Sequence, residues 1–229
     1  MTALCSIIVA ASLLADAKEP DFGCLQTGGA KDRQVIPYVP REGDLIFFDD
    51  HNPVWTALFV WAGTGPPLHM GIVVKKLDGS LAVLEAGPDD TIWCTLQDLS
   101  KRLDQFDRDY HGTITIRRCK KVLPREKSRA LTRFAYMQDG KPYAVARLLL
   151  QGTRFRSRGP VREWFLGTTQ LDRWSWICSE LAVAAGTVAD LFPTSVKANV
   201  TYPKDLADNV RHDLSNTWRD AATWRRKGP

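Results

Sequence analysis

The sequence predicts a protein of the α+β class, with a small antiparallel β-sheet packed against helices. Two observations predict this class. Between residues 44 and 117, four short apolar runs of strand type are separated by turn residues. Between residues 124 and 188, two longer runs carry apolar residues at helical spacing. Strands that come first and helices that follow are typical of an α+β arrangement.

The predicted strands are short apolar segments bounded by turns. Asp78-Gly79 lies between the second strand and the third, and Asp-Gly between two apolar runs is a strong hairpin signal. In the fourth strand, Ile114 and Ile116 alternate with polar residues and share one face. The four predicted strands cover 44–48, 69–74, 81–86 and 112–117.

The helices are predicted from apolar spacing and from proline at a helix start. Pro124 opens the first long helix, and a Gly-Lys-Pro sequence ends it. The second long helix carries Ile177, Leu181 and Ala184 along one stripe. The predicted helices cover 124–137 and 176–188, with short ones at 143–150 and after Pro203, and 151–173 is predicted as a loop.

The organisation of the chain is predicted from composition shifts. Residues 1–17 are apolar and end in Ala-Asp-Ala, a small-x-small pattern typical of a secretory signal peptide. A buried helix is the alternative for this segment, which is too short to span a bilayer. We expect export to the periplasm or cell surface if the leader is cleaved, and a cytoplasmic protein otherwise. A polar linker at 18–40, one domain at 41–210 and a tail at 211–229 complete the prediction.

Composition and charge restrict the function classes. The 229 residues are 44% apolar and 25% charged, which is ordinary for one globular domain. The net charge is +5, but 26 acids are interspersed with 31 bases, so a nucleic-acid partner is not expected. Basic runs at 154–158 and 224–227 are either solvated or contact an anionic phospholipid or cell-wall polymer. The five cysteines contain no C-x-x-C pair, which disfavours a structural zinc site.

Cys178 is the candidate nucleophile. It lies at the opening of the predicted helix 176–188, directly after a loop. The amino end of a helix presents unpaired N–H groups and positive partial charge, which favour the thiolate, the reactive form of cysteine. The same N–H groups can hold an oxyanion. A buried structural cysteine is the alternative.

His69 is the candidate base and Glu85 the candidate group that orients it. His69 opens an apolar strand, where a side chain can be held rigidly at a cleft, whereas His51, His111 and His212 lie in turns or in the tail. Glu85 lies near the end of the next strand, and a buried carboxylate there is costly without a partner. In an ideal hairpin the two are not directly opposite, so a bulge or a longer loop is needed to bring them together. A solvated glutamate is the alternative.

Several segments resemble a known family when they are taken in order. They are GDLIF at 43–47, HMGIV at 69–73, LEA at 84–86, GKPY at 140–143, ICSEL at 177–181 and YPKDL at 202–206. Together they resemble the circularly permuted branch of the NlpC-type, papain-like cysteine hydrolases. This is the branch of the YiiX/YebB-like enzymes and of the lecithin:retinol acyltransferase group.

The resemblance implies a permuted papain-like fold with its nucleophile at a helix N-terminus. By position, it implies Cys178 as nucleophile, His69 as base and Glu85 as the third polar residue of the triad. It also implies that Tyr143 lies near the substrate cleft. Asp44 matches a Gly-Asp pair that is structural in the family. No metal and no organic cofactor is expected.

These residues predict a thiol hydrolase that cleaves an amide, peptide-like bond through an acyl-enzyme, in the cell wall if the protein is exported. The first alternative is a lipid acyltransferase or a lipid amide or ester hydrolase with peripheral membrane contact. In that case the apolar stretch 55–61 forms a contact surface, although a core helix is favoured for it. The second is a non-catalytic binding module. A metal hydrolase using His51, Asp49 and His69 has poor ligand spacing.

Overall fold

The structure, a computed structural model, describes residues 21–28, 32–87, 91–150, 153 and 169–227. The signal peptide predicted at 1–17, the basic run at 154–158 and most of the loop predicted at 151–173 lie outside the described residues. Within the described ranges, no helix combines the length and the apolar character needed to cross a bilayer.

The described residues form one antiparallel sheet of eight strands. The central strands are apolar along almost their whole length, because both of their faces are covered. Their order across the sheet is β2-β1-β8-β7-β3-β4-β5-β6. The strands are β1 (Cys24–Thr27), β2 (Gln34–Pro37), β3 (Leu45–Asp49), β4 (His69–Lys75), β5 (Leu81–Ala86), β6 (Cys94–Asp98), β7 (Thr113–Arg117) and β8 (Ala222–Arg225).

Helices cover the two faces of this sheet. The described helices are α1 (Pro53–Trp61), α2 (Leu99–Tyr110), α3 (Arg125–Gln138), α4 (Val145–Leu149), α5 (Cys178–Val188) and α6 (Pro203–Ala207), with a 3-10 turn at Ala198–Val200. On one face, Phe47 and Ile72 belong to a core that includes Leu181 of α5. On the other face, Phe48 belongs to a core that includes Phe106 of α2. The sheet is therefore the middle layer of three.

The α+β class and the antiparallel sheet packed against helices are confirmed. The four predicted strands correspond to β3, β4, β5 and β7, and the two long predicted helices correspond to α3 and α5. The sheet is not small, however, because four further strands extend it on both sides.

The structure corrects the predicted linker and tail. Strands β1 and β2 lie within the range 18–40, and β8 lies within 211–229. Leu25 of β1 is directly opposite Trp224 of β8, and both side chains are buried. Each of these strands has only four residues, so too few apolar positions alternate to give a readable pattern.

Strand β6 and helix α2 were not predicted. Helix α2 is amphipathic, with Leu99, Leu103 and Phe106 buried on one side, and the Asp98 side chain caps its start. Its remaining residues are mostly charged. A polar residue between these apolar positions, Arg102, is also buried, and it proves central to the site described below.

Helix α1 contradicts the expected core helix at 55–61. The helix is well formed, because the side chain of Asn52 accepts hydrogen bonds from the N–H groups of Val54 and Trp55. None of its nine residues is buried, and the exposed fractions of Val60 and Trp61 are 60% and 62%. An apolar helix is therefore on the surface.

Candidate active site

Cys178 is the first residue of α5 and is buried at the end of that helix. The turn that delivers it is fixed by Glu180, whose carboxylate accepts a hydrogen bond from the Ile177 N–H at 3.2 Å. Arg147 and Arg173 bind the same carboxylate at 2.7 and 3.3 Å. Because the first N–H groups of a helix have no partner within it, the thiol lies where donors converge.

His69 and Glu85 meet across strands β4 and β5. Gly71 is directly opposite Glu85, so His69, two residues earlier, is its diagonal neighbour on the same face. The Nε2 atom of His69 is 2.8 Å from the Glu85 carboxylate. A Cβ atom at Gly71 would lie 3.3 Å from the Glu85 Cβ and 2.9 Å from the Leu84 carbonyl oxygen. The missing side chain therefore leaves the diagonal open, and no bulge is needed.

Arg102 holds the other side of Glu85. Its Nε donates to one carboxylate oxygen at 2.7 Å, and a terminal nitrogen donates to the other at 3.3 Å. Both side chains are fully buried, and the guanidinium lies over the ring of Phe48, 4.7 Å from its centroid. A bidentate pair of this kind fixes the orientation of the carboxylate. Glu85 is thereby presented to His69 in one geometry.

The imidazole of His69 is hydrogen-bonded to Glu85, and Cys178 lies close enough to the imidazole to influence its pKa. Since Nε2 is bound to Glu85, Nδ1 is the ring nitrogen left for the thiol. Burial lowers the pKa of His69, but hydrogen bonds to Cys178 and Glu85 and the negative charges of both outweigh it and raise the pKa to about 9. Burial raises the pKa of Glu85, yet His69 and Arg102 outweigh it and lower that pKa. The site therefore favours the imidazolium form of His69 beside the Glu85 carboxylate.

Tyr143, predicted to lie near the substrate, is close to this group. Its ring packs on Gly87, where a Cβ atom would lie only 2.6 Å from it, and its backbone forms a bridge with Trp176. Burial, followed by the negative charge of Cys178, raises the pKa of Tyr143 well above its usual value. The tyrosine hydroxyl is therefore kept protonated beside the thiol.

Asp44 has the structural surroundings that the sequence analysis expected. Its buried carboxylate accepts hydrogen bonds from the Tyr38 hydroxyl at 2.9 Å and from the N–H groups of Arg41 and Cys119 at 3.0 and 2.6 Å. Burial raises the pKa of Asp44 to about 7. The carboxylate thus ties together three segments of the chain.

His51 and Asp49 belong to the ligand set of the metal hydrolase that the sequence disfavours. His51 interacts with Asp49 at 3.3 Å and with the Thr113 hydroxyl at 3.0 Å, and more than half of its side chain is exposed. Among the described residues, no group of three or more His, Cys, Asp or Glu side chains is placed to hold a metal ion.

Two cavities flank the paired thiol and imidazole. The thiol-side cavity, of about 370 Å³, is lined almost entirely by apolar side chains and reaches Cys178. Its wall is formed by α1, α4, the starts of α5 and α6, and residues that flank these helices, among them Leu58, Trp61, Val145, Leu148, Ile177 and Tyr202. The exposed helix α1 is therefore one wall of a cavity that ends at the nucleophile candidate.

The imidazole-side cavity, of about 450 Å³, includes His69. Trp55, Phe59, Val145 and Leu148 line both cavities and separate them. The residues found only on the imidazole side include Asp50, Asn52, Thr91, Tyr110 and Tyr143. The two cavities therefore differ in polarity, and one of them reaches Cys178 whereas the other reaches His69.

Comparisons with known proteins do not assign the chain to a family. No family model matches the chain, and no curated protein matches it. Five chains of solved structures match, among them a crystal structure described as the metalloprotein yiiX from Escherichia coli O157:H7. That structure is 16% identical, with a TM-score of 0.48, and the match covers 84% of this chain and all of the other.

The structure brings together all the residues that the sequence analysis singled out for the site. His69 is hydrogen-bonded to Glu85, Cys178 is close enough to raise the pKa of that imidazole, and Tyr143 lines the same cavity as His69. Sequence reasoning missed Arg102, although a signal was available. In α2 it occupies the apolar stripe of Leu99, Leu103 and Phe106, a position where a charge requires a buried partner.

Proposed function

We propose that the protein is a cysteine hydrolase that cleaves an ester or amide bond through an acyl-enzyme on Cys178. The observation that carries the proposal is the imidazole of His69, which is hydrogen-bonded to Glu85 at 2.8 Å and has Cys178, at the start of α5, as its other ionisable neighbour. This is the arrangement by which a base activates a thiol and a carboxylate fixes the tautomer of the base. The resemblance to papain-like cysteine hydrolases agrees with it.

In the first half-reaction the Cys178 thiolate attacks the substrate carbonyl carbon and forms a carbon–sulfur bond. The N–H groups at the start of α5 are suited to hold the oxyanion that results. When the intermediate collapses, the bond to the leaving group breaks, and the leaving group takes the proton of the His69 imidazolium. The products are a thioester on Cys178, a free alcohol or amine, and a neutral imidazole.

Water completes the reaction. The neutral imidazole of His69 takes a proton from water while the oxygen attacks the thioester. The carbon–sulfur bond then breaks, which releases a carboxylic acid and restores the thiolate beside an imidazolium. If another alcohol or amine replaces water in this step, the outcome is acyl transfer.

The thiol-side cavity favours the lipid alternative over a peptide of the cell wall. A peptide backbone needs hydrogen-bonding partners, whereas the residues around this cavity are largely aliphatic and aromatic. The cavity is lined by Trp55, Leu58 and Trp61 of α1, whose side chains are also exposed to solvent. We therefore propose a hydrocarbon acyl chain as the part of the substrate that lies next to Cys178.

Replacing the nucleophile tests the proposal. We expect Cys178→Ala to keep the melting temperature within a few degrees and to reduce hydrolysis of p-nitrophenyl hexanoate by about 10³-fold or more. Cys24→Ala is the matched control, because Cys24 is a partly exposed free thiol far along the chain from the site. Normal turnover by a folded Cys178→Ala protein contradicts the proposal.

The class of substrate is tested with the wild-type protein. Phospholipids and muropeptides, offered in parallel, separate the lipid alternative from the cell-wall alternative. Release of fatty acid without cleavage of muropeptides is the result expected from the apolar cavity. Cleavage of muropeptides alone overturns the acyl-chain assignment but leaves the thiol mechanism intact. A protein that binds one of them and cleaves neither is the non-catalytic module.

A further inference from the structure

We propose that the imidazole-side cavity binds a positively charged, amine-bearing group of the substrate. The inference rests on the proposed function for its orientation, because the same His69 closes this cavity. Its own support is the set of side chains around the cavity. Six aromatic residues line it, namely Phe48, Trp55, Phe59, Phe106, Tyr110 and Tyr143.

The cavity lining carries one carboxylate that can pair with a bound cation, on the side chain of Asp50. Asp50 lines it with a carboxylate, and one of its oxygens also accepts the Asn52 N–H at 2.9 Å. No lysine or arginine is among the described residues that line it, in a chain that carries 31 of them. A phosphate or carboxylate group would therefore find a like charge at Asp50 and no strong cationic donor other than the triad imidazolium.

Aromatic faces next to a carboxylate are the surroundings that hold organic ammonium groups. A cation over an aromatic ring gains about 0.5–2 kcal/mol, depending on how fully it is desolvated. Phe48 and Phe106 are almost completely buried and already contact Arg102. Trp55, which has an exposed fraction of 44% and lines the same cavity as Asp50, has ring surface that a ligand can contact.

The orientation follows from the position of His69. The leaving group takes its proton from this imidazole, so it departs on the imidazole side while the acyl chain stays on the thiol side. Trp55, Phe59, Val145 and Leu148 line both cavities, so a substrate that extends into both would pass along this shared wall. The substrate class is therefore a fatty acyl ester or amide whose leaving group carries an ammonium group.

A pair of esters that differ in charge but not in shape tests the inference. The probes are hexanoylcholine and the neutral 3,3-dimethylbutyl hexanoate, titrated into the folded Cys178→Ala protein by calorimetry. We expect the cationic ester to bind about tenfold more tightly, which corresponds to about 1.4 kcal/mol. Equal affinities, or a preference for the neutral ester, overturn the inference.

A matched pair of variants tests whether the tighter binding of the cationic ester arises in the imidazole-side cavity. In the Cys178→Ala background, Asp50→Asn keeps an oxygen for the Asn52 N–H, and we expect it to reduce the preference at least threefold. Asp78→Asn removes a charge from the Asp78-Gly79 turn and is expected to leave the preference unchanged. An unchanged preference in Asp50→Asn overturns the inference.

The outcome for the cavity is separate from the outcome for the proposed function. The binding preference is measured in a protein that lacks the nucleophile, so it does not require turnover. If the wild-type protein hydrolyses neither ester but the preference is present, the cation site stands and the hydrolase proposal fails. If the wild-type protein hydrolyses both esters and the preference is absent, the hydrolase proposal stands and the cation site fails.

Discussion

Helices α1 and α5 are both apolar, both reach the thiol-side cavity, and differ completely in burial. Nine of the eleven residues of α5 are buried, whereas none of the nine residues of α1 is. Helix α5 packs between β4 and α3 and carries Cys178 at its first position. Helix α1 contacts the rest of the molecule so little that most of its apolar side chains face solvent.

The difference in burial shows that an apolar helix need not be part of the core. The apolar surface of α5 stabilises the fold, because burial removes it from water. The apolar surface of α1 remains available, and an exposed apolar patch beside a cavity is typical of a binding site. We infer that α5 serves stability and chemistry, whereas α1 serves substrate binding.

Truncating one leucine in each helix gives the largest contrast in stability. Leu181 of α5 is fully buried, so we expect Leu181→Ala to lower the free energy of unfolding by about 2–5 kcal/mol. Leu58 of α1 has an exposed fraction of 45%, so Leu58→Ala is expected to change it by no more than about 0.5 kcal/mol. Urea unfolding of both variants measures the difference. Equal losses would break the comparison, because they would place α1 in the core.

The same Leu58→Ala variant tests whether α1 contributes to activity on long-chain substrates. Removing a side chain that contacts a bound hydrocarbon costs about 1.5 kcal/mol, so kcat/KM for a long-chain ester should fall roughly tenfold. For the acetate ester, which does not reach Leu58, we expect no change. Steady-state kinetics with p-nitrophenyl acetate and dodecanoate supply both values. A loss that is the same for both chain lengths shows that α1 does not select the acyl chain.

The response to pH is expected to distinguish the chemical step, in which His69 donates a proton, from acyl-chain binding by α1. An ordinary histidine loses its proton near pH 6.5, whereas His69 has a pKa of about 9. The His69 imidazolium therefore persists at neutral pH and is lost as the pH rises through about 9. We therefore expect kcat/KM to fall by about tenfold for each pH unit above 9. The chain-length preference set by α1 should stay constant over the same range. Activity that is level up to pH 10 contradicts the role of His69 as proton donor.

The smallest expected effect concerns the start of α1. Asn52→Ala removes the side chain that caps the helix, which costs about 0.5–2 kcal/mol of helix stability. Because α1 buries none of its residues, we expect it to open locally while the melting temperature of the protein changes by under about 2 °C. Hydrogen exchange measures the protection of α1 amides, with α5 amides as the internal reference. A fall in protection of both helices shows that α1 is coupled to the core.

The sequence was informative where one residue type carries one chemical meaning. Cys178 at a helix opening and His69 at a strand opening were predicted, and both lie where they were expected. The pairing of His69 with Glu85 was anticipated, but the reason given for it was not the right one. Gly71, and not a bulge, lets the imidazole reach the carboxylate. Such a diagonal contact depends on the exact register, which turn residues alone do not determine.

The sequence did not determine whether an apolar segment lies in the core or on the surface. Periodicity shows that 55–61 is apolar, but it does not show whether a partner covers that surface, and none of the described residues does so fully. Arg102 was missed for the opposite reason, because its partner Glu85 comes from a different element. Both errors concern tertiary contacts, which local spacing does not encode.

Strand β8, near the carboxyl end of the chain, lies between β1 and β7 and joins the first hairpin to the central strands. The sheet can therefore be completed only late in synthesis. The β1–β2 hairpin has no strand that connects it to the central sheet until residues 222–225 have been synthesised. Trimming the chain to residues 41–210 would also leave the backbone of β7 unpaired along one side. That edge would be open to pairing with another copy, so the shortened protein is expected to aggregate.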